Sequence, residues 1–305
     1  MTRESMPTSG DAKSLTQGTV FTLLAAAGFA SVSVLTSLLT ARGIALPTVL
    51  LWRYLIAAVV LTLWVGTHQY KRIPSNEMLR FVVLGGGGQA LVVFLALSSL
   101  AYIPAATLAF LFYTYPAWVA VAQLVRGVER LDARRAGALA LSFGGIAVMV
   151  GVPALASDLS LDWRGVSLAI GAAILYGAYI PMMRTLQRDH PVAPTSAYSK
   201  IGAALVFLVL SVAQRDFTWR LGADAWGILA VLAIVSTVLP SVFFLMGLVR
   251  LGPVRTAIIS TIEPFLTAVL AAVALGQGMT PPTLVGGALI VSAVALLQFK
   301  RDRVA

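Results

Sequence analysis

The chain has 305 residues, 59% of them hydrophobic and only 11% charged, against about 25% charged in an ordinary soluble domain. With a mean hydropathy of +0.90, this composition excludes a water-soluble globular protein and requires an integral membrane one. The net charge of +10 does not mark a nucleic-acid binder, because the basic residues are scattered between apolar runs and form no face with interleaved aromatics.

The polar, mixed-charge stretch from Met1 to Gly18 lacks the pattern of a cleaved signal peptide. Ten apolar runs of membrane-spanning length follow, at about 19–41, 46–66, 79–100, 105–125, 134–152, 165–184, 194–214, 225–249, 254–275 and 282–299. The connections are short, and several carry turn chemistry, such as IPSNE at 73–77 and MTPPT at 279–283. With the N-terminus placed in the cytoplasm, 16 Lys and Arg fall on that side, 4 fall in outer loops, and Arg53 and Lys200 fall inside spans. The positive-inside rule then puts both ends in the cytoplasm, and most of the net charge is this orientation signal.

The spans carry few groups capable of chemistry. Arg53 in the second span and Lys200 in the seventh each sit roughly 10 Å below a surface. They would meet a substrate carboxylate, pair with an acid, or snorkel to the interface. The run LGGGGQA (84–90) lacks the GK[ST] of a phosphate loop, so its glycines are expected to permit a bend or close helix approach. Gln89 behind them would face a cavity or bond a neighbouring helix. Phe110, Tyr113 and Tyr115 on the fourth span, with Tyr176 and Tyr179 on the sixth, are read as cavity lining, since a mid-membrane phenol needs a partner for its hydroxyl. Gly144, Gly145, Gly286 and Gly287 read as close-packing sites between halves of the chain or between subunits of a homodimer. Glu263 is the one acid inside a span, roughly 14 Å deep. A bare carboxylate there costs at least about 2.5 kcal/mol, so it must be protonated, paired or wet. It would couple a proton, meet a substrate ammonium, or bond the backbone near Pro264.

The second half echoes the first. FLALSSLAYIPAATLAFLFYTYP (94–116) resembles FLMGLVRLGPVRTAIISTIEP (244–264). Pro116 and Pro264 are 148 apart, as are Glu129 and Gln277; Pro47 and Pro194 are 147 apart, as are Arg53 and Lys200. Each of these two mid-span prolines removes a helix hydrogen bond and is expected to kink or hinge its span. The layout is therefore a tail at 1–17, a five-helix repeat at 18–152, a second repeat at 164–299 and a tail at 300–305. Five spans is an odd number, so the second repeat must lie inverted relative to the first. Inverted repeats are the architecture of alternating-access transporters.

This arrangement, with GVERL (127–131) after the first kinked span, resembles the drug/metabolite transporter superfamily of the EamA type over residues 18–299. Within it, the chain is most similar to bacterial aromatic and neutral amino-acid exporters of the YddG type. Gln277 departs from the glutamate that the family often carries there. The resemblance implies a bacterial inner-membrane permease with no cofactor, whose partners are a small-molecule substrate and the lipid bilayer. Aromatic walls, one acid and two bases suit a zwitterion such as methionine or phenylalanine. Cationic drugs, phosphorylated solutes and nucleotide sugars are the alternative cargo. An intramembrane enzyme is disfavoured, because there is no intramembrane His or Cys, no metal set (the two histidines, His68 and His190, lie in separate loops) and no second carboxylate.

Overall fold

A computed structural model of the chain describes residues 9–68, 73–103, 105–128, 132–153, 162–275 and 278–298. Among these the fold is all-helical, with no strand. Ten apolar helices occupy the ten expected positions: α1 (Ser14–Thr40), α2 (Leu46–Thr67), α3 (Ser75–Ser99), α4 (Thr107–Val125), α5 (Ala133–Gly151), α6 (Trp163–Gln187), α7 (Val192–Ala213), α8 (Ala223–Leu251), α9 (Pro253–Val273) and α10 (Pro281–Gln298). The first nine are each long and apolar enough to cross a bilayer. The tenth has 18 residues, within the range that spans with little tilt.

The helices are apolar on every side, because one side meets protein and the other meets lipid. Leu63, Val125, Val209 and Val273 are more than half exposed and belong to the lipid belt. Short connections make successive spans alternate in direction. The α2–α3, α4–α5, α6–α7 and α8–α9 connections therefore share one face with the N-terminal side of α1, and the remaining connections share the other. At the α8–α9 junction Gly252 takes φ 83°, which lets Pro253 begin the next helix at once.

Helix pairing obeys an internal two-fold relation. α1 packs on α8 and α9, and their five-on counterparts match: α6 packs on α3 and α4. α2 packs on α7, and α5 packs on α10, so each of these two pairs is its own counterpart. Both broken helices also match. α4 is interrupted at Tyr113–Thr114 and resumes at Tyr115; α9 is interrupted at Thr261–Ile262 and resumes at Glu263. The prolines expected to kink these spans thus sit second in each resumed half, where the missing N–H costs nothing. α3, α5 and α8 contain π-helical segments at Phe81–Gly87, Ala147–Gly151 and Ile234–Val238. Gly85, Gly86 and Gly87 of the glycine run lie in the first of these, and Gly88 begins the α-helical turn that follows.

Two helix crossings are made by glycine. A Cβ added to Gly202 of α7 would lie 2.0 Å from the carbonyl oxygen of Val82, and one on Gly86 of α3 would lie 2.4 Å from that of Ser199. On α5 and α10, a Cβ at Gly145 would lie 2.6 Å from the Gly286 carbonyl oxygen, and one at Gly286 would lie 2.3 Å from that of Gly145. Gly287 instead faces the ring of Phe265, and Gly144 has no neighbour within 4 Å. The expected close packing between halves therefore rests on Gly145 and Gly286. Gly286→Leu should lower the thermal midpoint of the detergent-solubilised protein, with an overpacking cost of about 1–3 kcal/mol. Gly144→Leu should leave the midpoint unchanged; equal loss in both variants would remove this contact as the cause.

Candidate functional site

The two broken helices set out the site. At each break the backbone tightens to i→i−3 bonds, as in Thr114 N–H to Leu111 O (3.2 Å) and Thr261 N–H to Ile258 O (3.2 Å). A threonine hydroxyl then caps a carbonyl three residues back, Thr114 on Leu111 (2.7 Å) and Thr261 on Ile258 (2.6 Å). These bonds leave a half-helix N-terminus inside the protein, and Glu263 is its first residue in α9. The partial positive charge of a helix N-terminus favours a carboxylate there.

Glu263 and Pro264 lie on a cavity of about 590 Å³ bounded by α1, α3, α4, α5, α9 and α10. Its walls come from the late turns of α3 and α5 and the early turns of α4, so it opens toward the face opposite the N-terminal side of α1. The wall facing Glu263 is aromatic: Tyr113, Phe112 and Phe29 all line the cavity. The Tyr113 hydroxyl is close enough to Glu263 to hydrogen-bond its carboxylate. Neither Arg53 nor Lys200 forms an ion pair with Glu263 in this conformation.

A second, smaller cavity of about 50 Å³ lies on the other side of the aromatic cluster. Tyr176, Tyr179, Gln89 and Lys200 line it, with Ser196 and Ser241. Both serine hydroxyls are buried without a hydrogen-bond partner. The two cavities meet at a septum. Phe112, on the first cavity, stacks on Tyr176, on the second, with ring centroids 5.6 Å apart and planes at 22°. Tyr115 abuts Tyr176 edge-on at 4.8 Å. Phe29 lines both cavities.

Several expected lining residues do other work. Tyr115 is only 2% exposed and donates its hydroxyl to Ala257 O (3.3 Å), tying α4 to the first half of α9. Phe110 lies against the backbone at Gly151, and lines neither cavity. Tyr179 donates to Gly85 O (2.9 Å), within the π-helical segment of α3. Arg53 and Lys200 do not snorkel: they are 8% and 4% exposed. Lys200 Nζ donates to Gln89 Oε1 (2.8 Å) on α3, and Arg53 Nε donates to Thr237 Oγ1 (2.6 Å) on α8. The two bonds are counterparts, since Gln89 and Thr237 are themselves 148 residues apart. Tyr54 lies between the two cations, with its ring centroid 5.1 Å from Arg53 Cζ and 5.5 Å from Lys200 Nζ. Such cation–π contacts hold buried cations where no carboxylate is at hand.

Sequence reasoning passed over Tyr54, Thr237, Ser196 and Ser241. Thr237 had a usable signal in its distance from Gln89. Tyr54 gave none beyond its place after Arg53. A third groove of about 440 Å³ between α2 and α7 is lined by Leu55, Leu63, Leu205 and other apolar side chains. It holds no titratable group and faces the lipid belt.

The EamA-like transporter family is matched twice, by residues 16–151 and again by residues 163–299. The chain belongs to that family. Each matched stretch holds five of the ten helices. This EamA-like transporter is 28% identical over 246 residues to an uncharacterised transporter of Synechocystis sp., covering 78% of this chain and 72% of that one. It is 32% identical over 142 residues to the threonine/homoserine exporter RhtA of Escherichia coli (strain K12), a match spanning 46% of this chain and about half (47%) of RhtA. A protein of known crystal structure shares the fold with a TM-score of 0.78 at 19% identity, over 92% of this chain and 96% of that one. The family and its named relatives are transporters rather than enzymes.

The Lys200–Gln89 bond yields a stability test. Gln89→Leu leaves a buried amine without its acceptor and should destabilise the protein by about 1.5–3 kcal/mol. The double variant Gln89→Leu/Lys200→Met should recover most of that loss, as thermal midpoints in a double-mutant cycle will reveal. Purely additive effects would show that the bond carries no coupling.

Proposed function

We propose that this transporter exports neutral and aromatic amino acids, including threonine, methionine and phenylalanine, by alternating access, with both termini in the cytoplasm of a bacterial inner membrane. The observation that carries the reading is Glu263 beside Tyr113 at an aromatic-walled cavity of about 590 Å³. An acid at a helix break inside a membrane protein can take a substrate ammonium or a proton, and discontinuous helices are where transporters bind their cargo. The aromatic wall accommodates apolar side chains. The unpartnered hydroxyls of Ser196 and Ser241 in the small cavity offer donors to a carboxylate. The likeness to a threonine/homoserine exporter supports the same cargo class. Orientation follows from the 16 cytoplasmic against 4 external basic residues, which makes the large cavity the external one.

Phosphorylated solutes and nucleotide sugars fit less well. The two cations inside the spans, Arg53 and Lys200, are already committed to Thr237 and Gln89. Cationic drugs remain the second reading, because Glu263 supplies a counter-charge.

Liposomes preloaded with unlabelled amino acids and carrying the purified protein should take up labelled threonine, methionine or phenylalanine without any ion gradient. An imposed pH gradient should accelerate that uptake in the wild type. Glu263→Gln should lose the acceleration and fall by about tenfold or more in rate, a loss of about 1.4 kcal/mol in barrier terms. Folded protein that moves none of the three would overturn the substrate assignment and favour cationic drugs. Unchanged pH response in Glu263→Gln would make the carboxylate structural.

A further inference from the structure

The large cavity uses the two broken helices unequally. From α4 it takes Leu108, Ala109, Phe112 and Tyr113, all before or at the break; from α9 it takes residues at or beyond the break, from Glu263 to Ala271. Every one of these nine positions is partly exposed. An offset of 148 residues superposes the two breaks, carrying Tyr113 onto Thr261 and Tyr115 onto Glu263. Applied to the nine lining positions, it lands on the first half of α9 and the second half of α4. Every one of those nine counterparts is buried. The helix pairing is two-fold, but the exposure of the broken helices is not.

The buried set contains an anomaly. The hydroxyls of Thr256 and Ser260 are one turn apart on one face of α9, 0% and 5% exposed; that of Thr256 has no hydrogen-bond partner, and that of Ser260 has none but the neighbouring Tyr115 phenol. Buried polar atoms are almost always paired, and each exception needs a reason. These two are the counterparts of Leu108 and Phe112, which line the open cavity. Gln123, likewise buried, is the counterpart of Ala271.

We infer that Thr256, Ser260 and Gln123 line a second cavity, on the face carrying the termini, which opens when the large cavity closes. There the two hydroxyls hydrogen-bond the polar group of the transported solute. The exchange of Leu108 and Phe112 for Thr256 and Ser260 makes this second cavity hydrogen-bonding at two positions where the first is apolar and aromatic. Its chemistry suits small solutes carrying an ammonium, carboxylate or hydroxyl. The cargo class deepens the amino-acid reading and rests on it; the cavity itself rests only on the repeat. The Tyr115–Ala257 hydrogen bond and the packing of Val119, Ala257 and Ile258 hold it shut here.

The chain has no cysteine, so single cysteines can be read without background. Thr256→Cys, Ser260→Cys, Gln123→Cys and the reference Leu108→Cys would each be treated with a membrane-impermeant methanethiosulfonate on vesicles of either orientation. Leu108→Cys is expected to react only from the face opposite the termini. The other three are expected to react only from the face of the termini, and more slowly. Adding Tyr115→Phe, which keeps the ring and deletes the closing bond, should raise labelling of Thr256→Cys about fivefold and lower that of Leu108→Cys. Reaction of the three from the same face as Leu108→Cys would overturn the proposal. So would no reaction from either face while Leu108→Cys reacts normally. Because Gln123 lies in the other repeat, it reports the same cavity even if a variant on α9 fails to fold. No substrate is needed for labelling, so a wrong amino-acid assignment would leave this result intact. Protection of Ser260→Cys by threonine but not by an apolar amine would then test the cargo class, and absence of protection by either would remove it.

Discussion

Lipid offers no partner to a buried charge or to a broken backbone, and this protein carries both at mid-membrane. An unsatisfied polar group in hydrocarbon costs several kcal/mol. Everything distinctive in the structure answers that constraint. Glu263 sits at a half-helix N-terminus beside a phenol and an open cavity. Arg53 and Lys200 each reach a neutral acceptor in the opposite half and share the ring of Tyr54. The chain interrupts two helices where threonine hydroxyls can take up carbonyls.

The two cation bonds also locate the scaffold. α2 and α7 pack against each other as their own counterparts, and each sends one cation to an acceptor on α8 or α3. Gly86 and Gly202 bring α3 and α7 into backbone contact, so there is little freedom for those helices to part. α2, α3, α7 and α8 are thereby held together by contacts that obey the two-fold relation.

Much of this was legible in the sequence, and the reason is periodic. Ten apolar runs and a near-constant offset fix helix number and repeat without knowledge of any contact. The offset also marked Pro116, Pro264, Arg53 and Lys200 as pairs. It did not reveal partners, because a partner depends on which faces of two helices meet. Gln89 could bond a helix or face a cavity on sequence grounds, and it does both. Tyr115 and Tyr113 are two residues apart, so they point to different sides of their helix break. One closes on Ala257 and the other faces Glu263. Apolar periodicity could not separate them, since neither side of this helix is polar.

On the proposed reading, the cation bonds and the broken helices divide the labour of transport. Both cation bonds are made together in a conformation whose Glu263 cavity opens on one face, so neither bond, on the proposed reading, acts as the gate for a single face. The groups that differ between halves are on α4 and α9. The first half of α4 lines the large cavity while the first half of α9 is packed in the core. Tyr115 bonds a buried carbonyl while its counterpart Glu263 faces a cavity. A protein that alternates must conserve the contacts obeying its internal symmetry and exchange those that break it. By that criterion the proposed mechanism keeps the four-helix scaffold and moves the half-helices around Tyr115 and Glu263. On the proposed alternating-access reading, the exchange sets a phenol against a carboxyl group beside the cargo path, so the two access states would differ in polar chemistry as well as in direction.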